Sequence, residues 1–405
     1  MSQKILVIGS GFAGMWSALG AARVLEEQGR AVGYGAIDIT LISPEPVLHM
    51  RPRLHEKSPS AMTTPLLPLL EAAGVRYVRG HVTQIHTDDK NVDATDENGL
   101  VFNLTYDKLV LTTGSKLFRP PLPGVGEHTF SIDQVDEACE LDVHLARLAD
   151  RPESIGRNTV VVVGGGFTGI EIACELPQRL SGILGDDADV NVVVVEQASD
   201  IGPDLGPGPR PVIIQALADL GIKCRLGASV VSVDADGLYT STGERIESQT
   251  VIWTGGMRAS SLTEQVSTER DRLGRLHVSR DLRVSGASDV FAAGDVALAV
   301  LDDHGNHAMM SCQHAMNMGR YAGHNVAADL LGLPTLPYEQ PFYVTCLDLG
   351  SWGAVYTEGW DREIKLVGDE AKALKHKINS EWIYPPRPSR TDALASADPA
   401  RKVVA

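Results

Sequence analysis

The stretch VVVVGGGFTGIE, residues 160–171, leads four valines directly into three consecutive glycines. Four β-branched residues in a row are typical of a strand that is buried on both faces. Gly164, Gly166 and Gly169 follow at the spacing G-x-G-x-x-G, and residues 170–180 predict a helix that Pro177 bends. A strand, a glycine turn and a helix in this order provide the context that a dinucleotide-binding fingerprint requires.

A near copy, KILVIGSGFAG, occupies residues 4–14. Gly9 permits a tight turn, Gly11 lets the backbone approach a pyrophosphate, and Gly14 lets a predicted helix over residues 13–27 pack closely on the strand. The N-terminus of that helix presents free N–H groups to the phosphates. We therefore predict that the first helical residues of both turns also contact nucleotide: Phe12 and Ala13 in the first, Phe167 and Thr168 in the second.

The two fingerprints begin 155 positions apart, at Gly9 and Gly164, which leaves room for a complete α/β module between them. Two fingerprints predict two bound dinucleotides, and a protein that holds two of them usually passes electrons from one to the other. Nicotinamide donates a hydride, and flavin accepts one. The repeat therefore predicts FAD and NADH as cofactors.

The two fingerprints differ in the acidic residue that is expected at the end of each second strand. NVVVVE ends at Glu196, whose carboxylate is suited to bind ribose hydroxyls and to repel a 2′-phosphate, so NADH is favoured over NADPH. After the first fingerprint, the second strand is predicted over residues 38–42. Ser43 stands where the acid is expected and Glu45 follows two positions on, so either is a candidate for the ribose contact.

Charge and cysteine content exclude several classes of protein. The formal net charge of −16 argues against nucleic acid, whose phosphates would be repelled. No run reaches the roughly 18–20 apolar residues of a transmembrane span. The five cysteines lack metal-ligand spacing, so no metal site is predicted and they are expected to be buried thiols. We expect a cytoplasmic protein, with peripheral contact at the inner face of a membrane left open.

Four further strings carry a family resemblance. With the two fingerprints, the chain resembles the two-dinucleotide-domain flavoproteins, and it is most similar to type II NADH dehydrogenases and apoptosis-inducing-factor-like oxidoreductases. The resemblance implies an α/β fold with two Rossmann-like domains and a C-terminal α+β region. The strings are YDKLVLTTGS (106–115), TVIWTGG (250–256), VFAAGDVA (290–297) and SCQHAMNMGRYAG (311–323).

The resemblance also implies a domain order. Residues 1–115 and 286–335 would form the FAD domain, and residues 155–256 an NAD(H) domain inserted within it. Residues 336–405 would cover the flavin or form a dimer contact, with a tail after Pro385 that is flexible or draped on the surface.

Roles for individual residues follow from the family motifs. Asp295 would bind the ribityl chain, and Arg51 would lie near the flavin pyrimidine or be a surface charge. Glu171 would lie near the nicotinamide or serve as an acid at the start of a helix. The remaining implied contacts are Val82, Thr113, Gly114, Gly294, Gln313, His314 and Ala315 for FAD, and Gly255 for NADH.

The electron acceptor is the least determined part of the prediction. Quinone-reducing relatives carry A-Q-x-A-x-Q-Q-G, whereas this chain has CQHAMNMG over residues 312–319, with Asn317 and Met318 in place of two glutamines. His314 would protonate a reduced quinone, or has no catalytic part. Residues 371–386 form an apolar stripe with basic neighbours, which is a membrane anchor, a packing face or a homodimer contact.

These features predict an enzyme that moves a hydride from NADH onto flavin N5 and passes electrons to a quinone or similar small acceptor. Three alternatives stay open: a reductase of a ferredoxin or rubredoxin, a sulfide:quinone-type reductase that uses Cys312 and Cys346, and a flavoprotein that signals its redox state.

Overall fold

The first glycine turn follows the central strand of a parallel sheet. In the computed structural model, which describes residues 3–30 and 37–401, every neighbouring pair in this five-stranded sheet is parallel. Four of the strands are mainly apolar because helices and other layers cover both faces of a parallel sheet, whereas the edge strand Arg76–Arg79 is partly exposed. In spatial order the strands are Val290–Ala292, Lys108–Leu111, Gln3–Ile8, Ile37–Ser43 and Arg76–Arg79.

The second glycine turn follows a strand in the same position of a second parallel sheet. Its order is Lys223–Leu226, Asn191–Glu196, Thr159–Val163 and Thr250–Trp253. Val160 and Val162 face one hydrophobic core, and Val161 and Val163 face another. The run of valines is therefore explained by burial on both faces, and the predicted α/β fold is confirmed.

The smaller sheets are antiparallel, except that Leu276–His277 pairs with Ala297–Leu298 in parallel. Three have three strands: His81–His86, Asn91–Thr95 and Val101–Thr105; Val230–Asp234, Gly237–Thr240 and Arg245–Glu247; and Val344–Asp348, Ala354–Glu358 and Glu363–Gly368. Paired short strands are Val47–His49 with Thr63–Pro65, Ser115–Leu117 with Met257–Ala259, and Leu276–His277 with Ala297–Leu298.

The helices that begin at the glycine turns are longer than predicted. We call each strand, glycine turn and following helix a nucleotide cradle. The first cradle helix is Phe12–Glu27, and the second cradle helix is Phe167–Leu184, which continues past Pro177. A third long helix, Cys312–Leu330, carries the residues of the SCQHAMNMGRYAG string, and we call it the glutamine helix. The other helices are Leu67–Ala73, Val125–His128, Val135–Ala146, Ile155–Asn158, Arg210–Asp219, Asp369–Lys377 and Arg390–Ser396.

The glutamine helix packs on the first cradle helix through glycines. A Cβ at Gly319 would lie 2.6 Å from the carbonyl oxygen of Ala13, and one at Gly323 would lie 2.2 Å from that of Ser17. These separations are shorter than any real Cβ contact, so the two backbones touch only because side chains are missing at these positions. The contact fixes the N-termini of both helices relative to each other.

The predicted apolar stripe of residues 371–386 is used for packing. Helix Asp369–Lys377 passes into a π-helical turn at Ile378–Trp382, and Leu374, Ile378 and Trp382 pack on the small core beneath the last three-stranded sheet. Beyond Pro385, helix Arg390–Ser396 buries Ala393 and Leu394. In the part of the chain that the structure describes, no helix is both long enough and apolar enough to cross a bilayer.

We predict that Gly323→Ala will lower the free energy of unfolding by about 1–3 kcal/mol, the usual cost of overpacking. Gly182→Ala is the matched control, because a Cβ there meets no atom within 4 Å and alanine is the better helix former. Urea unfolding should therefore show the control to be at least as stable as the unsubstituted protein. Equal midpoints for the two variants would contradict the close packing of the helices.

Candidate dinucleotide and electron-transfer site

The two glycine turns have the same geometry. Gly9 has φ +108° and Gly164 has φ +109°, a conformation that side chains disfavour. A Cβ on Gly14 would lie 1.8 Å from the carbonyl oxygen of Gly9, and a Cβ on Gly169 would lie 1.8 Å from that of Gly164. Each helix can therefore start this close to its turn only with glycine at these positions.

One threonine closes each turn from the neighbouring strand. The Thr112 hydroxyl donates to the carbonyl oxygen of Ile8 at 2.7 Å, and the Thr254 hydroxyl donates to that of Val163 at 2.9 Å. Sequence reasoning singled out the following residues, Thr113 and Gly114 in one string and Gly255 in the other, and missed both threonines. The signal was present, because the strings share a threonine directly after the closing strand.

The residues predicted to face the nucleotides lie around these turns. A Cβ placed on Gly11 or on Gly166 would have no neighbouring protein atom within 4 Å, so both positions open outward. Phe12 and Ala13 are buried, Phe167 is half-buried and Thr168 is exposed. The first N–H groups of each cradle helix lack an intrahelical partner by geometry, which makes them available to phosphate.

The two cradles differ in the residue that ends their second strand. Glu196 is buried, and its two carboxylate oxygens accept backbone N–H groups from Gly165 at 2.6 Å and Ala198 at 2.7 Å. In the first cradle, Ser43 is also buried but donates to the carbonyl oxygen of Glu45 at 2.6 Å, while the Glu45 side chain is exposed. Among residues 3–30 and 37–401, therefore, only the second cradle has a carboxylate fixed against its turn.

Asp295 lies in a charged group beside the first cradle. It accepts a hydrogen bond from the Ser115 hydroxyl at 2.6 Å and lies 3.6 Å from a guanidinium nitrogen of Arg51. Arg51 also pairs with Asp133. The loop arginine is thus paired and half-buried instead of being a free surface charge. Gly294 precedes Asp295 with φ +77°, and a Cβ there would lie 2.9 Å from that of Ala13.

Other predicted FAD residues divide into two groups. The Thr113 hydroxyl and the side-chain oxygen of Gln313 are buried without a hydrogen-bond partner among the described residues, so each can bind a ligand group. Ala315 is buried against Gly294. Val82, by contrast, is part of the main hydrophobic core on strand His81–His86.

His314 lies in the first turn of the glutamine helix and is fully buried. Its Nδ1 is 2.9 Å from the Ser311 hydroxyl, and its ring stacks on Tyr343 with centroids 5.2 Å apart. Burial, together with the nearby charge of Arg362, lowers the pKa of His314 to about 3. A neutral, enclosed imidazole favours the alternative in which His314 does not protonate an acceptor.

Glu171 belongs to a buried charged cluster that the sequence did not reveal. Its Oε1 lies 2.7 Å from the Lys375 ammonium and accepts the backbone N–H of Asp348 at 3.0 Å. Its Oε2 lies 3.6 Å from Nδ1 of His55. Glu171 is therefore more than an exposed acid at a helix start, since the cluster joins the second cradle helix to the C-terminal region.

The two cysteines considered for sulfide chemistry are not activated. Burial raises the pKa of Cys312 to about 11 and that of Cys346 to about 12. The Cys346 thiol also donates to the carbonyl oxygen of Ala371 at 3.6 Å. Because the thiolate is the nucleophile, protonated thiols give no support to this alternative.

The site thus consists of two matched nucleotide cradles, of which the second has a fixed carboxylate and the first has the charged group around Asp295 beside it. This arrangement is that of a two-dinucleotide oxidoreductase. Residues 3–319 match the pyridine nucleotide-disulphide oxidoreductase family, to which this chain belongs. The chain is 49% identical over 399 residues to an NADH dehydrogenase-like protein of Mycobacterium tuberculosis, with 98% of each chain covered. The prediction of an NADH dehydrogenase-like oxidoreductase, with FAD and NADH as cofactors, is confirmed.

More distant relatives agree with this assignment. A type II NADH:quinone oxidoreductase of Staphylococcus haemolyticus is 26% identical over 402 residues, with 94% of this chain and 95% of the relative covered. The structure of NDH2 from Plasmodium falciparum in complex with NADH superposes with a TM-score of 0.78 at 16% identity, covering 98% of each chain. The latter likeness shows the shared fold.

We predict that Lys375→Met will lower the free energy of unfolding by about 3–5 kcal/mol, because it leaves the Glu171 carboxylate buried without its cation. The double variant E171Q/K375M should recover much of that loss. Lys365→Met is the control, since Lys365 pairs with Glu363 at the surface and such pairs contribute little. Chemical denaturation measures all three, and a single variant as stable as the double one would contradict a buried ion pair.

Proposed function

We propose that this protein takes a hydride from NADH and passes the electrons to a quinone or a similar small acceptor. The observation that carries the proposal is the repetition of one cradle on two joined sheets, with a fixed carboxylate on only one. That asymmetry distinguishes the cradle that would bind an adenosine ribose through a fixed carboxylate from the cradle that would hold its dinucleotide through other contacts.

The first cradle is suited to FAD. Gly9, Gly11 and Gly14 would admit the pyrophosphate to the N–H groups of Phe12 and Ala13, and Asp295 would bind the ribityl chain. The unpartnered Thr113 hydroxyl and Gln313 side-chain oxygen fit a ligand that supplies the missing hydrogen bonds. Gly114, Gly294 and Ala315 leave room for close approach, and Arg51 would hold Asp295 in place.

The second cradle is suited to NADH. Gly164, Gly166 and Gly169 would admit its pyrophosphate, with the N–H groups of Phe167 and Thr168 at the helix start. Glu196 would accept ribose hydroxyls with the lone pairs that its backbone contacts leave free. Gly255 would lie beside the nicotinamide half, near the buried Glu171.

FAD supplies the hydride acceptor when it is bound. The protein's part is to place the two dinucleotides and exclude water, which is the main contribution expected for a transfer between oriented partners. We propose that residues 1–115 and 286–335 form the FAD domain, residues 155–256 the NAD(H) domain, and residues 336–405 a cover over the site.

A small acceptor is favoured over a redox protein. Small redox proteins are often acidic, and the net charge of −16 would disfavour their approach. The relatives named NADH:quinone oxidoreductase support a quinone. Asn317 differs from the motif of those relatives, and here its amide donates to the carbonyl oxygen of Glu339 at 3.2 Å. The acceptor's ring would therefore meet a different surface.

The test is anaerobic stopped-flow absorbance with two matched variants. NADH should bleach the flavin of the unsubstituted protein, and a soluble quinone should restore its colour faster than ferredoxin does. Gly11→Val should fold without retaining FAD, while Gly166→Val should stay yellow and resist bleaching by NADH. Both glycines have ordinary φ values, −66° and −80°, and open surroundings, so neither change should disturb folding. A yellow Gly11→Val protein, or a flavin that NADH leaves oxidised, would contradict the proposal.

We predict that Glu196→Ser will raise KM for NADH by about tenfold, a change of about 1.4 kcal/mol, and will raise KM for NADPH much less. The loss of the carboxylate removes the ribose contact and also the repulsion of a 2′-phosphate. Glu45→Ser is the control at the corresponding place of the first cradle. Steady-state kinetics with both nucleotides give the ratio, and an unchanged preference for NADH would exclude Glu196 from nucleotide recognition.

A further inference from the structure

His55 is a buried histidine with no place in the nucleotide cradles. It follows the short turn Arg51–Arg53 and is only 3% exposed. Its Nδ1 lies 3.6 Å from Oε2 of Glu171, and its Nε2 lies 3.9 Å from Oδ2 of Asp348. Nε2 has no hydrogen-bond partner. The ring therefore stands between two buried carboxylates.

Each oxygen of Glu171 has a different partner. Lys375 holds Oε1 and also donates to the carbonyl oxygen of Cys346 at 3.1 Å. Oε2 is left facing His55. Lys375 thus fixes the position of the Glu171 carboxylate through Oε1, and His55 is the titratable group next to Oε2.

A line of polar groups connects His55 to the surface. The side chain of Asp348 faces Nε2 of His55 through Oδ2, and its Oδ1 lies 2.5 Å from the ammonium of Lys372, while its backbone N–H is bonded to Glu171. The Lys372 side chain is 37% exposed. The order from solvent inward is Lys372, Asp348, His55 and Glu171.

The charges around His55 favour its protonated form. Burial, the strongest influence, lowers the pKa of His55, but the charges of Glu171 and Asp348 outweigh burial and Lys375, so the net direction is upward. His55 and Lys372 hold the pKa of Asp348 below its usual range despite burial. Glu175, whose pKa burial raises, and the Glu56–Arg53 pair complete the titratable and charged surroundings.

We propose that His55 is the proton-holding residue that supplies Glu171 during reduction of the acceptor. This inference rests on the proposed function. The overall reaction converts NADH, a quinone and one proton into NAD⁺ and a quinol. The hydride carries both electrons and one proton, so the second proton comes from solvent.

In the proposed step the Nδ1–H bond of His55 breaks and an O–H bond forms at Oε2 of Glu171. Glu171 then returns to the carboxylate by passing that proton toward the acceptor. The neutral ring keeps its proton on Nε2, so it turns over, presents the vacant Nδ1 to the Asp348 and Lys372 side, and is reprotonated there. The two gaps of 3.6 Å and 3.9 Å exceed a hydrogen bond, and a small ring rotation or one bridging water closes each of them.

The kinetic test compares the two half-reactions of His55→Gln. Flavin reduction by NADH takes no proton from solvent and serves as the internal reference. The rate of reoxidation by a soluble quinone, divided by the rate of reduction, should fall at least tenfold in His55→Gln. His376→Gln is the matched control, because His376 is exposed on the same helix as Lys375, and its ratio should be unchanged.

The pH profile distinguishes a proton-holding role from a structural one. Because the pKa of His55 is raised, the proton is present below the ordinary value of about 6.5 and is lost as the pH rises through the higher folded value. Quinone reoxidation by the unsubstituted protein should therefore slow about tenfold per pH unit above that value, and His55→Gln should lack this dependence. Lys372→Met, at the exposed end of the line, should slow the same step.

Histidine NMR gives a measurement that does not depend on turnover. In protein labelled with ¹⁵N-histidine, the His55 ring should be an imidazolium at pH 6, and in Asp348→Asn it should lose its proton at a lower pH than in the unsubstituted protein. A neutral His55 ring at pH 6 would overturn the proposal, as would unchanged ratios and pH profiles in both His55→Gln and Lys372→Met. Failure of NADH to bleach the unsubstituted protein would instead overturn the proposed function, so the two failures are distinguishable.

Discussion

Close approach of backbone to backbone at glycine is the constraint on which the rest of the structure depends. At Gly14 and at Gly169 the position of a Cβ is taken by the carbonyl oxygen of an earlier glycine, 1.8 Å away in both cases. The same device joins the first cradle helix to the glutamine helix through Gly319 and Gly323. These contacts determine where the helix N-termini point, and those N-termini are the part of an α/β sheet that binds phosphate.

The six-residue segment Arg51–Glu56 connects the two cradles with each other and with the C-terminal region. Arg51 pairs with Asp133 and Asp295, and His55 faces Glu171 and Asp348. Arg53 and Glu56 bind the C-terminal region through the hydroxyl of Tyr384 at 2.9 Å and the amide of Asn379 at 3.1 Å. Because each link crosses between elements, the segment connects the C-terminal region to elements of both cradles. The π-helical turn at Ile378–Trp382 places Asn379 in this contact, and π-helical turns are often found at functional sites.

The sequence predicted what local pattern determines and missed what distant contacts determine. The strand, turn and helix of each cradle, and the strings that close each sheet, were readable because their residues are adjacent in the chain or carry a fixed spacing. The buried cluster was not, because Glu171 and Lys375 are 204 positions apart and neither His55 nor Asp348 stands in a motif. The stripe of residues 371–386 was recognised as amphipathic, but which surface covers it depends on tertiary packing. His314 was placed correctly at a helix start, but its lowered pKa follows from burial and the charge of Arg362, which depend on tertiary structure.

The buried cluster is costly for stability, which bears on why it is present. Removing ionised groups from water is unfavourable, and well-packed apolar residues at Glu171, Lys375, His55 and Asp348 would be at least as stabilising. A contribution to stability therefore does not explain why four titratable groups, each 5% exposed or less, lie together where the second cradle helix meets the C-terminal sheet. Cradles that bind and orient two dinucleotides need no acid or base for the hydride itself. The need for ionisable groups arises only when the acceptor takes up a proton, so the position of the cluster is better explained by the oxidative half of the reaction than by the reductive half.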